Sequence, residues 1–461
     1  MNAGLVRRIL LPMHERLLGR STPSYLAQLE QTQWLSREAL RELQTRKLRA
    51  LLTHAALNCP YYRDTITAQR IDPHSATLTD LGRMPTLTKE IIRREMPRMT
   101  ETPARRRMFD YSTGGSSGDP LLFKIDRSRQ AADQAARARS RRWFGVDLGE
   151  RELYLWGAAV ELAAQDRVKR LRDRLTNQRL LNAFEMTPSR MSRYLREIER
   201  FDPVHIFGYP SSLARLVRHG RDIGFLPKTR SLRAVFATGE VFAPQDRAII
   251  EEAFGVAVAD GYGSREAGFI AHQCPAGRYH VTMESVIVEL LGEDGAPVTD
   301  YAPGEITVTH LDAFGMPFIR YRTGDIARRA AGACPCGRGL ETIELIEGRR
   351  TDMLRTANGG WAHALSVIYV IREERSIREF RIEQQGNLDL VVSLVVDDGF
   401  DKGAENRVRQ GLHKRLGAGP AILIRRVDRI AAAASGKHRC VVSHAQNETR
   451  CSDLSGDAKP G

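Results

Sequence analysis

Val204-His-Ile-Phe-Gly-Tyr-Pro210, Leu232-Arg-Ala-Val-Phe-Ala-Thr-Gly-Glu240 and Val256-Ala-Val-Ala-Asp-Gly-Tyr-Gly263 are short apolar runs that close on glycine-containing turns. Between them lie SSLARLVRHGRDIG (211–224) and APQDRAIIEEAFG (243–255), which read as helices. An earlier run, ELYLWGAA (152–159), has the same texture. Strands alternating with helices predict α/β layers around a parallel sheet. Residues 281–330 hold denser strand signals, VIVELL, EITVTHL and PFIRYRT, without helices between them. That part reads as a smaller, more antiparallel subdomain.

Working outward, the N-terminal side is helical. Ser36 is placed to cap REALRELQTRKLRALLTHAAL (37–57), whose apolar residues recur at three and four. GRMPTLTKEIIRREMPRM (82–99) reads as a turn and a short helix. On the C-terminal side a boundary falls near Gly348. Beyond it, FRIEQQGNLDLVVSLVV, AENRVRQGLHKRL and AILIRRV make a small α+β domain. The organisation expected is a large α/β domain over 1–347, a small domain over 348–445, and a polar, disordered tail over 446–461.

A chain of 461 residues exceeds one ordinary core, and 42% apolar with 27% charged residues is a globular composition. No apolar run reaches the roughly 18 residues that span a bilayer, and the N-terminus lacks a signal-peptide core. The expectation is a cytoplasmic protein. The formal charge is +14, but only nine cations are lysine and 61 are arginine. They sit in short pairs such as Arg7-Arg8 and Arg141-Arg142 rather than in one aromatic-interleaved stripe. That pattern argues against nucleic acid as the partner. Leu5, Ile9, Met13 and Leu17 recur at fours near the N-terminus, a pattern that fits a membrane surface or docking on the large domain, with Pro12 expected to interrupt the helix. Six cysteines in this length form no disulfide framework.

Five segments carry chemistry. Tyr111-Ser-Thr-Gly-Gly-Ser-Ser-Gly-Asp-Pro120 offers backbone N–H groups and hydroxyls that can wrap a polyphosphate. It is not a Walker loop. Its apolar flanks, FDYS and LLFKI, favour a hairpin-like turn over a linker. Asp260-Gly-Tyr-Gly-Ser-Arg-Glu-Ala-Gly268 follows a buried strand and is either a plain βα turn or a nucleotide site, with Glu266 able to hold Mg²⁺ against phosphate. Arg320-Tyr-Arg-Thr-Gly-Asp325 presents an acid beyond a strand, where ribose hydroxyls are commonly bound. Glu347-Gly-Arg-Arg-Thr-Asp-Met353 sits at the boundary, and Ser435-Gly-Lys-His438 presents a lysine on a glycine turn.

In this order the five segments resemble the phosphate loop, the YGxxE, YRTGD and GRxxD blocks and the C-terminal lysine of the adenylate-forming superfamily. TQWLSREAL, HAALNCPYYRD, LTKEIIRR, FGYPSSLARL, ATGEVF and MPFIRYRTGD are similar to the phenylacetate–CoA ligase branch and its capsule- and exopolysaccharide-cluster relatives. The resemblance covers roughly 20–445. It implies a mobile C-terminal domain, ATP and Mg²⁺ as cofactors, and a small carboxylic acid as substrate. Ser112, Thr113, Gly114, Gly115, Ser116, Ser117 and Gly118 would hold the ATP phosphates. Gly239, Glu240, Tyr262 and Gly263 would line the adenine pocket, Glu266 bind Mg²⁺, and Asp325 and Arg349 meet the ribose. Lys437 would contact the carboxylate and α-phosphate. Tyr209, Trp156, Phe236 and Ala237 are the acid-pocket positions by the same analogy.

The chemistry agrees with the absence of a GxSxG-type nucleophile, since an acyl-adenylate needs positioning and cations rather than an acid–base dyad. There are two departures. Thr351 precedes Asp352 where many relatives carry a second acid, and the phosphate loop ends Gly-Asp-Pro without the usual lysine. Phosphate charge must then be met by Mg²⁺ or another cation.

Cys274, His280, Cys334 and Cys336 form a Cys₃His set whose spacing alone leaves a metal site and four unrelated residues equally open. Some branch members carry zinc at a matching constellation, which implies a closed structural Zn²⁺ site here. The leading function is a ligase joining a carboxylic acid to coenzyme A. Transfer to a sugar hydroxyl, an amine or a carrier protein is the alternative, and a non-catalytic basic protein binding nucleic acid or membrane is the reading from another class. Oligomeric state is not legible.

Overall fold

The computed structural model describes the chain except for residues 103–107, 113–120, 158–172, 184–185, 241, 293, 300, 350–352, 358–360, 364–366, 369, 372, 375, 431–440 and 446–461. Thr113 to Gly118, Lys437 and the expected tail lie outside the described residues. Two compact units separate. One holds Met1–Thr323, Ala327–Ile346 and Ala434–Gly436; the other holds Gly324–Ile326, Glu347–Ala433 and Lys437–Gly461.

The first unit opens with one continuous helical segment: α1 (Ala3–Leu5), a π-helical turn (Val6–Leu10) and α2 (Leu11–Leu17). Pro12 does not interrupt it, contrary to the expectation from sequence. The widened turn just before Pro12 absorbs the missing N–H donor. Next come α3 (Thr22–Thr32), α4 (Arg37–Asn58), α5 (Pro60–Ala68), α6 (Leu78–Leu81) and α7 (Lys89–Met99). Ser36 caps α4 by accepting the Ala39 N–H, as its position before the apolar run foretold. β1 (Met108–Ser112) and β2 (Leu122–Asp126) pair antiparallel, so the glycine-serine segment between them joins the strands of a hairpin.

Then follow α8 (Arg127–Arg142), β3 (Glu152–Trp156), β4 (Gln178–Asn182), α9 (Pro188–Phe201), β5 (His205–Gly208), α10 (Pro210–Asp222), β6 (Ala234–Thr238), α11 (Pro244–Phe254) and β7 (Ala257–Ser264). The remaining strands are β8 (Gly268–Gln273), β9 (Tyr279–Val281), β10 (Val286–Leu291), β11 (Gly304–His310), β12 (Tyr321–Arg329) and β13 (Thr342–Arg349). They join one eleven-stranded sheet in the order β10-β11-β12-β13-β9-β8-β7-β6-β5-β3-β4. The predicted parallel half is there: β4, β3, β5, β6 and β7 pair in parallel, with α9, α10 and α11 connecting β4, β5, β6 and β7 in turn. The antiparallel strands after 281 are not a separate subdomain. They continue the same sheet because β8 and β9 turn back on β7, and β9 then pairs with β13.

The core follows from this layering. Leu48, Leu51 and Leu52 of α4 meet Val286, Ile306 and Val308 of the antiparallel half. Leu195, Ile198, Leu213 and Val217 of α9 and α10 cover Leu153, Ile206 and Val235 of the parallel half. α8 packs close by burying Ala131, Ala132, Ala135 and Ala136, small residues that let a helix approach. It also buries Arg139, whose guanidinium bonds to Glu284 at 2.5 Å.

The second unit contains β14 (Met353–Arg355), β15 (Trp361–His363), β16 (Ile377–Gln384), β17 (Leu390–Val396), α12 (Lys402–Leu416), β18 (Ile422–Arg426) and β19 (Val441–Ser443). A four-stranded sheet, β18-β17-β16-β19, is backed by the buried face of α12, Ala404, Val408, Leu412 and Leu416.

Candidate active site

The carboxyl ends of β3, β5, β6 and β7 are the place where an open α/β sheet binds ligands. Gly239 follows β6 there with φ +83°, a conformation that favours glycine, and a Cβ on it would meet the Tyr209 ring at 3.4 Å. Tyr209 stacks on Trp156 with ring centroids 4.0 Å apart, and its hydroxyl donates to the Gly157 carbonyl. Glu240 accepts the Ser211 N–H at the start of α10, so its carboxylate closes the helix end beside the crevice. Phe236 is buried beside Phe144 and His272, in the cluster against which Trp156 also packs.

β7 and β8 slip register between Tyr262 and Gly263, a bulge that re-aims the side chains around it. A Cβ on Gly263 would meet the Gly268 carbonyl at 2.5 Å, so glycine is required for the turn to close. Tyr262 is half-buried and its hydroxyl lies 3.4 Å from Thr323.

Three of the sequence segments converge here. Arg265 donates to the Ser112 carbonyl at 2.9 Å, bracing the base of the glycine-serine hairpin from the YGSRE turn. Tyr321, which opens the YRTGD strand, places its hydroxyl 3.3 Å from the buried Glu266 carboxylate. Arg129, wholly buried, donates to the carbonyls of Arg265 (2.8 Å) and Glu266 (2.7 Å). It lies over the rings of Phe318 and Phe123. These bonds fix the backbone of the turn that carries Glu266. Asp325 is carried by β12 and Arg349 ends β13.

Sequence reasoning assigned no role to Lys89. Its ammonium is 3.7 Å from the Glu266 carboxylate. Leu87 bonds to both sides of Arg320–Arg322, donating to the Arg320 carbonyl and accepting the Arg322 N–H. That parallel bridge hangs the start of α7 on the YRTGD strand and delivers Lys89 to the turn. The scarcity of lysine, nine in the whole chain, was the signal available for Lys89.

Cys274, His280, Cys334 and Cys336 come together, with their donor atoms all within 4.8 Å of one another. Cys274 follows β8, His280 lies in β9, and the other two occupy the β12–β13 loop. The two sulfurs of Cys274 and Cys334 are 3.6 Å apart, and Cys336 Sγ is 3.2 Å from His280 Nε2. Tetrahedral bonds of about 2.3 Å to zinc would hold sulfurs roughly 3.8 Å apart, so the cluster fits such an ion with little movement. Burial pushes His280 down to about 4, leaving it neutral and able to ligate, and pushes Cys334 up to about 12. Burial also raises Cys336, but hydrogen bonds from Arg338 outweigh it and the net displacement is downward. His272, nearby, stacks on Phe269 and is not one of the four.

Residues 179–313 match the family model described as AMP-binding enzyme, and residues 354–444 match the CapK C-terminal domain. In these two segments the chain is similar to AMP-binding enzymes and to the C-terminal domain of CapK. The enzyme is 22% identical over 414 residues to protein CapK of Staphylococcus aureus, covering 88% of this chain and 89% of that protein. It is 25% identical to the phenylacetate-coenzyme A ligase of Thermus thermophilus, over 77% and 81% of the two chains. Among solved structures, 2-hydroxyisobutyryl-CoA ligase with an acyl-AMP bound aligns at a TM-score of 0.74 and 18% identity, over 90% and 91%.

Proposed function

We propose that the enzyme is an AMP-forming ligase that activates a small carboxylic acid with ATP and passes the acyl group to coenzyme A. The convergence of Ser112, Arg265, Glu266 and Tyr321 supports this reading, because it brings the end of β1, a buried acid and the Lys89 cation around one point. The hairpin residues Ser112 to Gly118 wrap the phosphates, Gly239, Glu240, Tyr262 and Gly263 border the base, and Asp325 and Arg349 take the ribose. Mg²⁺ bound at Glu266 would neutralise phosphate charge and polarise the α-phosphorus. Lys89 supplies the cation that the Gly-Asp-Pro ending of the loop lacks. It pairs with Glu266; with ATP bound it would turn to the β- and γ-phosphates and leave Glu266 free to hold the metal. Lys437 meets the carboxylate and α-phosphate. Cys274, His280, Cys334 and Cys336 hold a structural Zn²⁺ with no open position.

The match of 354–444 to the CapK C-terminal domain favours a second acceptor reading, transfer to a sugar hydroxyl or amine in polysaccharide assembly. Either reaction belongs in the cytoplasm, where ATP is supplied. A carboxylate panel assayed for pyrophosphate release with and without coenzyme A tests both readings. Acid-dependent release and a thioester product support the first. Release without thioester, rescued by a sugar or amine, supports the second. No release with any acid refutes both.

A further inference from the structure

The helical segment at the N-terminus is built against the first unit on one side and shows apolar side chains on the other. Gly149, at φ +82°, lies so close beneath it that a Cβ would meet the Ala3 carbonyl at 2.9 Å and the Arg7 nitrogen at 3.0 Å. Arg7 pairs with Asp147, the Met1 ammonium donates to Asn177 Oδ1 at 2.8 Å, and Asn177 returns a bond to the Met1 carbonyl. Val6 is fully buried. The docking is therefore specific, and a merely adherent tail would not require a glycine under it.

The other side is unlike the rest of the surface. Met1, Leu5, Ile9, Met13 and Leu17, spaced by fours, are 55, 43, 48, 55 and 81% exposed. Arg8 and Arg16 are exposed beside them. Glu15, the one acid of the first twenty residues, is buried and paired with Arg20. We propose that this stripe is an interfacial anchor that lays the enzyme on an anionic lipid surface. Large apolar side chains flanked by arginine, on a helix too short to span a bilayer, are what headgroup-level insertion needs. A second copy of the chain is the poorer occupant. Its own stripe would bring arginine against arginine with no acid to answer it. A segment of this length, about 22 Å, also offers less than the roughly 800 Å² per partner of a stable dimer.

The placement suits an enzyme working at a membrane. Asp147, Gly149 and Asn177 precede the amino ends of β3 and β4, whereas the ligand crevice lies at the carboxyl ends of the parallel strands. An anchored enzyme keeps that crevice open to solvent.

The test is flotation of the full chain with phosphatidylcholine vesicles, with and without phosphatidylglycerol. Alongside wild type, one variant combines Leu5→Gln, Ile9→Gln, Met13→Gln and Leu17→Gln, and another combines Arg8→Gln and Arg16→Gln. Circular dichroism and AMP binding serve as fold controls. Wild type should float with the anionic vesicles and less as salt rises. The apolar variant should lose binding at least about tenfold, and the arginine variant should lose its preference for phosphatidylglycerol. Wild type that stays unbound at low salt overturns the proposal, as does equal flotation of the apolar variant. Sedimentation showing a dimer that only the apolar variant abolishes would assign the stripe to a second copy instead.

Discussion

Replacing Lys89 with Met separates the proposed phosphate site from the rest of the nucleotide pocket. At 3.7 Å, two unit charges interact by about 1 kcal/mol in water and about 4 kcal/mol at the effective dielectric of a protein surface. Lys89 is one-third exposed and Glu266 one-tenth, so screening brings the strength of a lysine contact here to about 1–3 kcal/mol. Two effects oppose each other. Without Lys89 the Glu266 carboxylate loses a cation, which favours Mg²⁺; the triphosphate also loses a cation, which disfavours ATP. The triphosphate carries several charges against one on Glu266, and the Tyr321 hydroxyl still bonds that carboxylate, so the loss dominates. Lys89→Met should therefore weaken ATP·Mg and pyrophosphate·Mg binding by roughly tenfold to a hundredfold. AMP, which lacks the β- and γ-phosphates, should bind as in wild type, and Lys89→Arg should recover most of the loss. Calorimetric titration with the three ligands reads this directly. Equal weakening of AMP and ATP, or no change in either, would refute the reasoning.

Lys437→Ala should abolish acid-dependent pyrophosphate release yet keep transfer from a supplied acyl-adenylate; equal loss of both half-reactions would remove Lys437 from the adenylating step. Purified protein should contain about one zinc per chain, and Cys336→Ser should lower zinc content and melting temperature together, since metal binding in a closed site is also folding free energy. Each kcal/mol lost there should cost roughly 2 °C or less in a domain this large. Zinc-free protein prepared under reducing conditions with zinc supplied would sink that assignment.

The parallel half of the sheet was legible because 204–263 alternates apolar runs and helices at the spacing a βαβ unit needs. The hairpin of β1 and β2 was legible from its apolar flanks. The merging of the later strands into the same sheet was not, since β9 pairs with β13 some sixty residues further on and no local pattern records a long-range partner. Lys89 and Arg129 escaped for the same reason. One reaches Glu266 only through a backbone bridge between Leu87 and Tyr321, and the other lies in a helix whose arginines all look solvated in sequence. Pro12 misled because a helix-breaking residue was weighed without the π-helical turn that accommodates it.

The register of β9 against β13 also ties distant parts of the chain together. Thr342 lies opposite His280, so the end of the β12–β13 loop is held beside β9. Cys334 and Cys336 lie on that loop and are brought to Cys274 and His280 by the same pairing. A metal held there, as proposed, would act as a latch joining both ends of that long excursion.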